Sequence, residues 1–448
     1  MRVIFNKPMA SEFGWCEDTT KAELKCGHVV SKKCLLTFVL KSFLKKKQYE
    51  YLCLCLLCNT NKKLQNLVLD CGCTWINVGE NISNSEKDNK GHTLNPIDLC
   101  LINDYTSFKS TFYILSIYPS TDLIDSYTKT LRNESVEDIE WILKNTKLIT
   151  RLDLKHKKIG YGGIKVLENA LTNIIELDLW HNNIAYGGAK VIADLLRTNN
   201  TLQVLAIGKN KLSDIGTTTI SKALEINNTL KELDLVQNDI GYEGAQSISQ
   251  ALKVNSTLTL LHLALNDIKD NGSTSICEAI KHNNTLQQLD LSWNQIGHEG
   301  GKAIAKMLKV NKGLIKLSMG RNRLECEGVR AINQMLKFNK TLKILNIGNN
   351  SIKNEGIRIN KTIISLDISN NEIDVRIISN LLKSNKTLTT LEISYNKIQY
   401  DGAEAISDML KVNNTLRELN LRSNNIGDDG VRLINKILEL NKALAVLI

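Results

Sequence analysis

The chain has 448 residues, 42% of them hydrophobic and 23% charged, so it can bury a sizeable core and is not a disordered polymer. Its net charge of +10 comes from 57 basic and 47 acidic residues. The excess is scattered lysine with no arginine-rich arm, which disfavours a nucleic-acid partner. Only three prolines occur, none after Pro119, so the remainder can run as a long regular array. The most apolar stretch, Tyr51 to Leu57, falls far short of the roughly 20 residues that span a bilayer, and no membrane partner is expected. The opening MRVIFNKPMASEFGWC has no apolar run or small-residue cleavage site. It is read as lacking a secretory signal, which places the chain in the cytoplasm or nucleus.

Nine of the eleven cysteines lie between Cys16 and Cys100. Without a secretory signal, crowded cysteines beside a histidine suggest metal rather than disulfides. The segment Cys26-Gly27-His28-Val29-Val30-Ser31 leading to Cys34, followed later by Cys55-x-x-Cys58, resembles a RING-like zinc domain. That resemblance implies a cross-braced order in which Cys26, His28, Cys55 and Cys58 share one structural zinc ion, a proper tetrahedral set. A second site would draw on Cys16 and Cys34, completed by Cys71 and Cys73. An alternative pairing puts Cys55, Cys58, Cys71 and Cys73 in one site and Cys16, Cys26, His28 and Cys34 in the other. Cys53 and Cys100 read as buried free thiols. The resemblance implies a ubiquitin-conjugating enzyme as a partner of the head, although Leu56 and Asn59 stand where that family usually has a proline and a basic residue.

Residues 1–75 are therefore expected to form a small RING-like α+β domain, and 76–144 a linker and helical cap. Asn81 to Gly91 is polar and turn-rich. Ser135 to Lys147, SVEDIEWILKNTK, has a serine cap, early acids and then an apolar face, so a helix is predicted there, capping the first repeat.

From 145 to 448 the motif L-x-L-x-x-N-x-I recurs in about 11 copies, with its first leucine at Leu152, Leu177, Leu205, Leu233, Leu261, Leu289, Leu317, Leu345, Leu366, Leu391 and Leu419. A partial further copy is read at Leu447. In Leu233-Asp234-Leu235 the alternation predicts a short strand with leucines inward and aspartate outward. The asparagine that follows, as in Asn238, is expected to satisfy buried backbone groups at the turn. Ile240, Gly244, Ala245, Ile248 and Leu252 then mark one helix face. The first copy has Lys157 in place of the asparagine. The interval from Leu345 to Leu366 is only 21 residues, and Ile377 replaces a glycine in the next copy, which together predict a break or kink near 353–380. Sequons such as Asn255, Asn339 and Asn385 belong to an N-x-T-L turn and carry no glycosylation message without a secretory signal.

These repeats closely resemble leucine-rich repeats of the ribonuclease-inhibitor type. The resemblance implies an α/β solenoid with parallel strands concave and helices convex. No catalytic constellation stands out, and function is expected on the strand face. Its central column, Asp153 to Asn420, is acidic. Neighbouring columns supply candidate contacts: Trp180, His181, His262, Trp293, Arg321, Tyr395 and Arg422. The leading expectation is a non-enzymatic scaffold that captures a protein partner. The alternatives are a RING-type ubiquitin ligase with the repeats selecting substrate, and a GTPase-activating protein of the nuclear-transport kind. A last repeat without a polar cap predicts self-association through that end, or a chain that continues.

Overall fold

A computed structural model describes residues 21–23, 29–31, 131, 134–145, 149–354, 360–439 and 444–447. The chain divides into two compact units, Met1–Ile149 and Thr150–Ile448. In the first, β1 (Lys21–Glu23) pairs antiparallel with β2 (Val29–Ser31), Ala22 facing Val30. Helix α1 spans Val136–Asn145. The Ser135 hydroxyl accepts from the Asp138 N–H at 3.1 Å and donates to its carboxylate at 2.8 Å, a capping arrangement of the expected kind. The expected zinc ligands Cys16, Cys26, His28, Cys34, Cys55, Cys58, Cys71 and Cys73 all lie outside the described residues.

In the second unit strands and helices alternate. The order is β3 (Arg151–Asp153), α2 (Gly160–Leu167), β4 (Glu176–Asp178), α3 (Ala185–Thr198), β5 (Val204–Ala206), α4 (Ser213–Leu224), β6 (Glu232–Asp234) and α5 (Tyr242–Val254). It continues with β7 (Leu260–His262), α6 (Lys269–Ile280), β8 (Gln288–Asp290), α7 (His298–Val310), β9 (Lys316–Ser318), α8 (Glu325–Leu336) and β10 (Ile344–Asn346). It closes with β11 (Ser365–Asp367), α9 (Val375–Ser384), β12 (Thr390–Glu392), α10 (Gln399–Leu410), β13 (Glu418–Asn420), α11 (Gly427–Leu438) and β14 (Ala445–Leu447). The 12 strands β3 to β14 form one parallel sheet in chain order.

The strand register follows the leucines. Leu233 lies opposite Leu205 on one side and Leu261 on the other, and both leucines of each L-x-L pair are buried. One expectation needs correcting. Leu419 pairs with Val446 rather than Leu447, so the last copy is one residue out of step with the sequence reading, and Leu447 stands 48% exposed. Leu444, just before the strand, is 8% exposed and keeps the pre-strand position that Leu416 holds in the copy before.

The turn after each strand is closed by the expected asparagine ladder. Asn238 is fully buried: its amide donates to the Ile207 carbonyl at 3.0 Å, and its own N–H donates to the Asn266 side-chain oxygen at 2.9 Å. The same backbone-to-side-chain bond joins Asn210 to Asn238, Asn294 to Asn322 and Asn396 to Asn424. Each rung thus uses the neighbouring repeat to satisfy groups that water cannot reach, worth about 1 kcal/mol per bond and more if broken. Lys157, where the first copy lacks the asparagine, still donates its N–H to Asn182 at 2.9 Å.

A second ladder, unforeseen in this role, closes each helix. Asn227 donates to the Leu196 carbonyl at 2.7 Å and accepts from Thr229 and Leu230 at 3.1 and 2.8 Å. Asn255, Asn311, Asn339 and Asn413 repeat that bond to the last turn of the preceding helix. These orphan helix carbonyls thereby gain donors. At the opposite helix end, Asp214 accepts from the Gly241 and Gly244 N–H groups at 2.7 and 2.8 Å, and Asp270 serves Gly297 and Gly300 alike. A carboxylate from one repeat therefore caps the helix of the next.

The predicted break does not reach the sheet. Between β10 and β11 no α-helix occurs among the described residues, yet Leu345 pairs with Leu366 and Asn350 donates to Asn371 at 2.7 Å. The sheet passes through the short repeat unbroken. Asn360 takes over the second ladder, donating to the Leu336 carbonyl at 3.0 Å.

Candidate protein-binding face

The acidic column of the sheet is largely structural. Asp153, Asp178, Asp234, Asp290 and Asp367 each accept the N–H two residues ahead, at 2.8 to 3.1 Å, and Asn346, Glu392 and Asn420 do the same. The side chain closes a local turn before the asparagine ladder begins. Burial raises the carboxyl groups of Asp234 and Asp367 above the usual carboxylate range. Ala206, His262 and Ser318 hold the column position without this acidic turn acceptor; His262 is half-buried and Ser318 buried.

Residues free to meet a partner stand one turn further on. At the fourth position after the central leucine the chain takes a left-handed backbone conformation in repeat after repeat, including His181, Lys209, Leu265, Trp293, Arg321 and Tyr395, with φ between 55° and 58°. Non-glycine residues rarely adopt this conformation. Here the ladder asparagine next in chain holds it, and the side chain is thrown clear of the core. The sequence columns thus separate: Trp180 and Arg422 belong to the preceding position, whereas His181, Trp293, Arg321 and Tyr395 share the left-handed one.

Two clusters result. In the first, Trp180 is half-buried rather than outward: it lies over Gly208, where a Cβ would come within 2.3 Å of its indole nitrogen. Trp180, one of the candidate contacts, is thus packed against the fold along part of its ring. His156 and His181, which sequence shows only as equivalent positions, meet through their Nδ1 atoms at 2.7 Å and both pack edge-on to Trp180. One ring donates and the other accepts. Desolvation, then the Lys209 ammonium, holds His181 below the usual histidine range.

In the second cluster the Arg321 guanidinium stacks over Trp293, 4.2 Å from the ring centroid. Trp293 is 46% exposed, and Leu265 in the preceding repeat 42%. Tyr395, 60% exposed, and Arg422 sit on adjacent repeats further along. At about 4.8 Å per strand, Trp293 stands roughly 20 Å from each of Trp180 and Tyr395, so the named residues form spaced clusters and not one pocket.

Among the described residues no group of three or more histidine, cysteine or acidic side chains could hold a metal ion, and no helix is long and apolar enough to cross a membrane. Cys277 is fully buried, and burial pushes its thiol far up, so it is no nucleophile.

The chain carries leucine-rich repeats: segments 170–193, 227–249, 254–277, 282–305, 338–358, 384–407 and 412–434 match the family model described as Leucine Rich repeat. No curated protein matches the chain. Among solved structures it is similar to the actin-binding site 2 of leiomodin-1, at 21% identity over 45% of this chain and 97% of that one, with a TM-score of 0.27. It is similar to an internalin, InlF, from Listeria monocytogenes, at 18% identity over 75% and 96%, TM-score 0.40. The Rad7 and Elc1 complex in yeast follows at 14% identity over 76% and 86%, TM-score 0.43.

Proposed function

We propose that the chain is a non-enzymatic interaction scaffold of ribonuclease-inhibitor-type repeats that captures a protein partner on its strand face. The observation that carries this reading is the Trp293–Arg321 stack beside exposed Leu265. A half-exposed tryptophan and an arginine with no carboxylate partner among the described residues are the residue types that dominate protein–protein hot spots, and the neighbouring leucine adds apolar area around them. The strand face is also the inner face. Neighbouring helices need roughly 8–10 Å and neighbouring strands about 4.8 Å, so an array of this kind bends around its sheet and wraps what it binds.

Proximity labelling with the whole chain, compared with Trp293→Ala/Arg321→Ala, tests this. The double variant should lose the enriched partner while its thermal unfolding stays within a few degrees of wild type. An unchanged partner set would remove the strand face as the binding surface.

The head is proposed to hold structural zinc through Cys26, His28, Cys55 and Cys58, with Cys16, Cys34, Cys71 and Cys73 as a second set. Thiolate ligands couple metal binding to folding. Native mass spectrometry should count one or two zinc ions, lost in Cys58→Ser. Ubiquitin discharge from a charged conjugating enzyme separates a ligase from a plain scaffold.

A further inference from the structure

The turns that close the helices carry a second pattern, which the buried asparagine does not require. In the turns at Asn311 and Asn339 a lysine stands two residues before the asparagine and another directly after it: Lys309 and Lys312, then Lys337 and Lys340. The short repeat adds Lys361 after Asn360, and Lys383 and Lys386 flank Asn385. Earlier turns have Asn200, Asn228, Ser256 and Asn284 at the second of these positions. The doubled lysine is thus a local patch and not a property of the repeat.

Between the lysines sit apolar side chains left in water: Phe338 is 63% exposed and Val310 39%. Lys309, Lys312, Lys337, Lys340 and Lys361 are exposed and make no ion pair among the described residues, whereas Lys281 and Lys411 on the same edge are paired with Glu278 and Asp408. A lysine in the last turn complements a helix dipole, and that accounts for Lys309 and Lys337. It does not account for Lys312, Lys340 and Lys361, which follow the helix-closing asparagines. Nor are the cations needed to satisfy the carbonyls, since Asn339 already donates to Leu308 at 2.8 Å and Asn360 to Leu336 at 3.0 Å.

We propose that this edge, Lys309 to Lys340 with Lys361, docks on an anionic membrane surface. Protein interfaces are depleted in lysine and favour tryptophan, tyrosine and arginine. Nucleic-acid sites favour arginine forks and stacked aromatic rings. Lysines interleaved with valine and phenylalanine suit instead a diffuse sheet of phosphate and carboxylate headgroups with a shallow apolar layer beneath. The parallel register repeats the turn from strand to strand along one edge, so successive lysine–apolar–lysine units can meet a flat surface together. This departs from the expectation of no membrane partner, which concerned segments that cross the bilayer.

The test is co-sedimentation of the full chain with vesicles of phosphatidylcholine alone and of phosphatidylcholine doped with phosphatidylserine. Binding is expected only to the doped vesicles, weakening as salt is raised. Reversing four charges, in Lys309→Glu/Lys312→Glu/Lys337→Glu/Lys340→Glu, should lower partitioning by about a hundredfold or more, each lysine contributing several-fold. The charge-matched control Lys158→Glu/Lys190→Glu/Lys222→Glu/Lys436→Glu should lower it far less. Phe338→Ser should cut the fraction that survives high salt. Equal binding to both vesicle types, equal loss in the control, or preference for a single-stranded polynucleotide over the doped vesicles would each overturn the proposal. Circular dichroism of every variant separates lost binding from lost fold.

Discussion

Most repeats turn twice on an asparagine, buried or half-buried, yet the two ladders are wired differently. In the strand-side ladder the asparagine N–H bonds to the next asparagine side chain, as from Asn294 to Asn322, so each rung depends on the rung ahead. In the helix-side ladder the side chain reaches back to a neighbour's carbonyls, as from Asn311 to Ile280 and Asn283, and then closes its own turn at Gly313 and Leu314. The first ladder holds the left-handed residues that carry Trp293 and Arg321. The second leaves its flanking positions free to collect lysine and exposed apolar residues. A buried scaffold and a variable surface are thus neighbours in sequence at both turns, and the wiring decides how far damage spreads.

The sharpest way to break the comparison is Asn294→Ala. It removes donations to Leu263, Leu291 and Ser292 and leaves those carbonyls buried. A loss of about 3–5 kcal/mol is expected in chemical denaturation, with hydrogen-exchange protection falling in both adjacent repeats. Asn311→Ala should cost about 2–3 kcal/mol, with the exchange confined to one turn. Equal spread in both variants would erase the distinction between the ladders.

Gly313→Thr sharpens it next. Threonine is what the other complete turns carry, as in Thr229 and Thr257, so a consensus argument predicts stabilisation. A Cβ at Gly313 would fall 2.3 Å from the Asn284 carbonyl oxygen, however. The substitution is expected to destabilise by about 1–3 kcal/mol, read as a lower midpoint in denaturant.

The smallest effect concerns charge on the sheet. Burial raises the Asp234 carboxyl, so the folded state disfavours its charged form, and that penalty applies above the acid's unfolded pKa. As pH falls through the raised folded value the group is protonated and the penalty disappears. Asp234→Asn keeps an acceptor for the Val236 N–H and should change stability at neutral pH by about 1 kcal/mol or less, on the stabilising side, with the difference vanishing in acid. Asp234→Ala loses the 2.8 Å turn bond, a cost of about 1 kcal/mol that should show in full in acid and be partly offset at neutral pH by relief of the same penalty.

The leucine and asparagine periods made the sheet register legible down to the pairing of Leu345 with Leu366 across the short repeat, because core positions tolerate few residue types. The last strand departs from that period because the chain has Val446 at the leucine position and a leucine beside it. The candidate face was legible in composition but not in geometry. Trp180 and Trp293 stand one motif position apart, and their geometry follows from the left-handed backbone that throws Trp293 outward and the space that Gly208 leaves for Trp180 to lie in. The contact between His156 and His181 joins residues 25 apart, and nothing local to either signals it.

The helix-side ladder has one more consequence, for anyone who makes this protein. Asn227, Asn255, Asn339, Asn385 and Asn413 each head an N-x-T segment and are all under 8% exposed, with side-chain amides spent on neighbouring carbonyls. A glycan transferred to any of them on a nascent chain would occupy the space of the adjoining coil and block stacking at that point. Expression routed through a eukaryotic secretory pathway should therefore yield glycosylated, misassembled material, while the same chain made in a bacterial cytosol should fold. The folded array, in turn, should resist an oligosaccharyltransferase at every one of these sites.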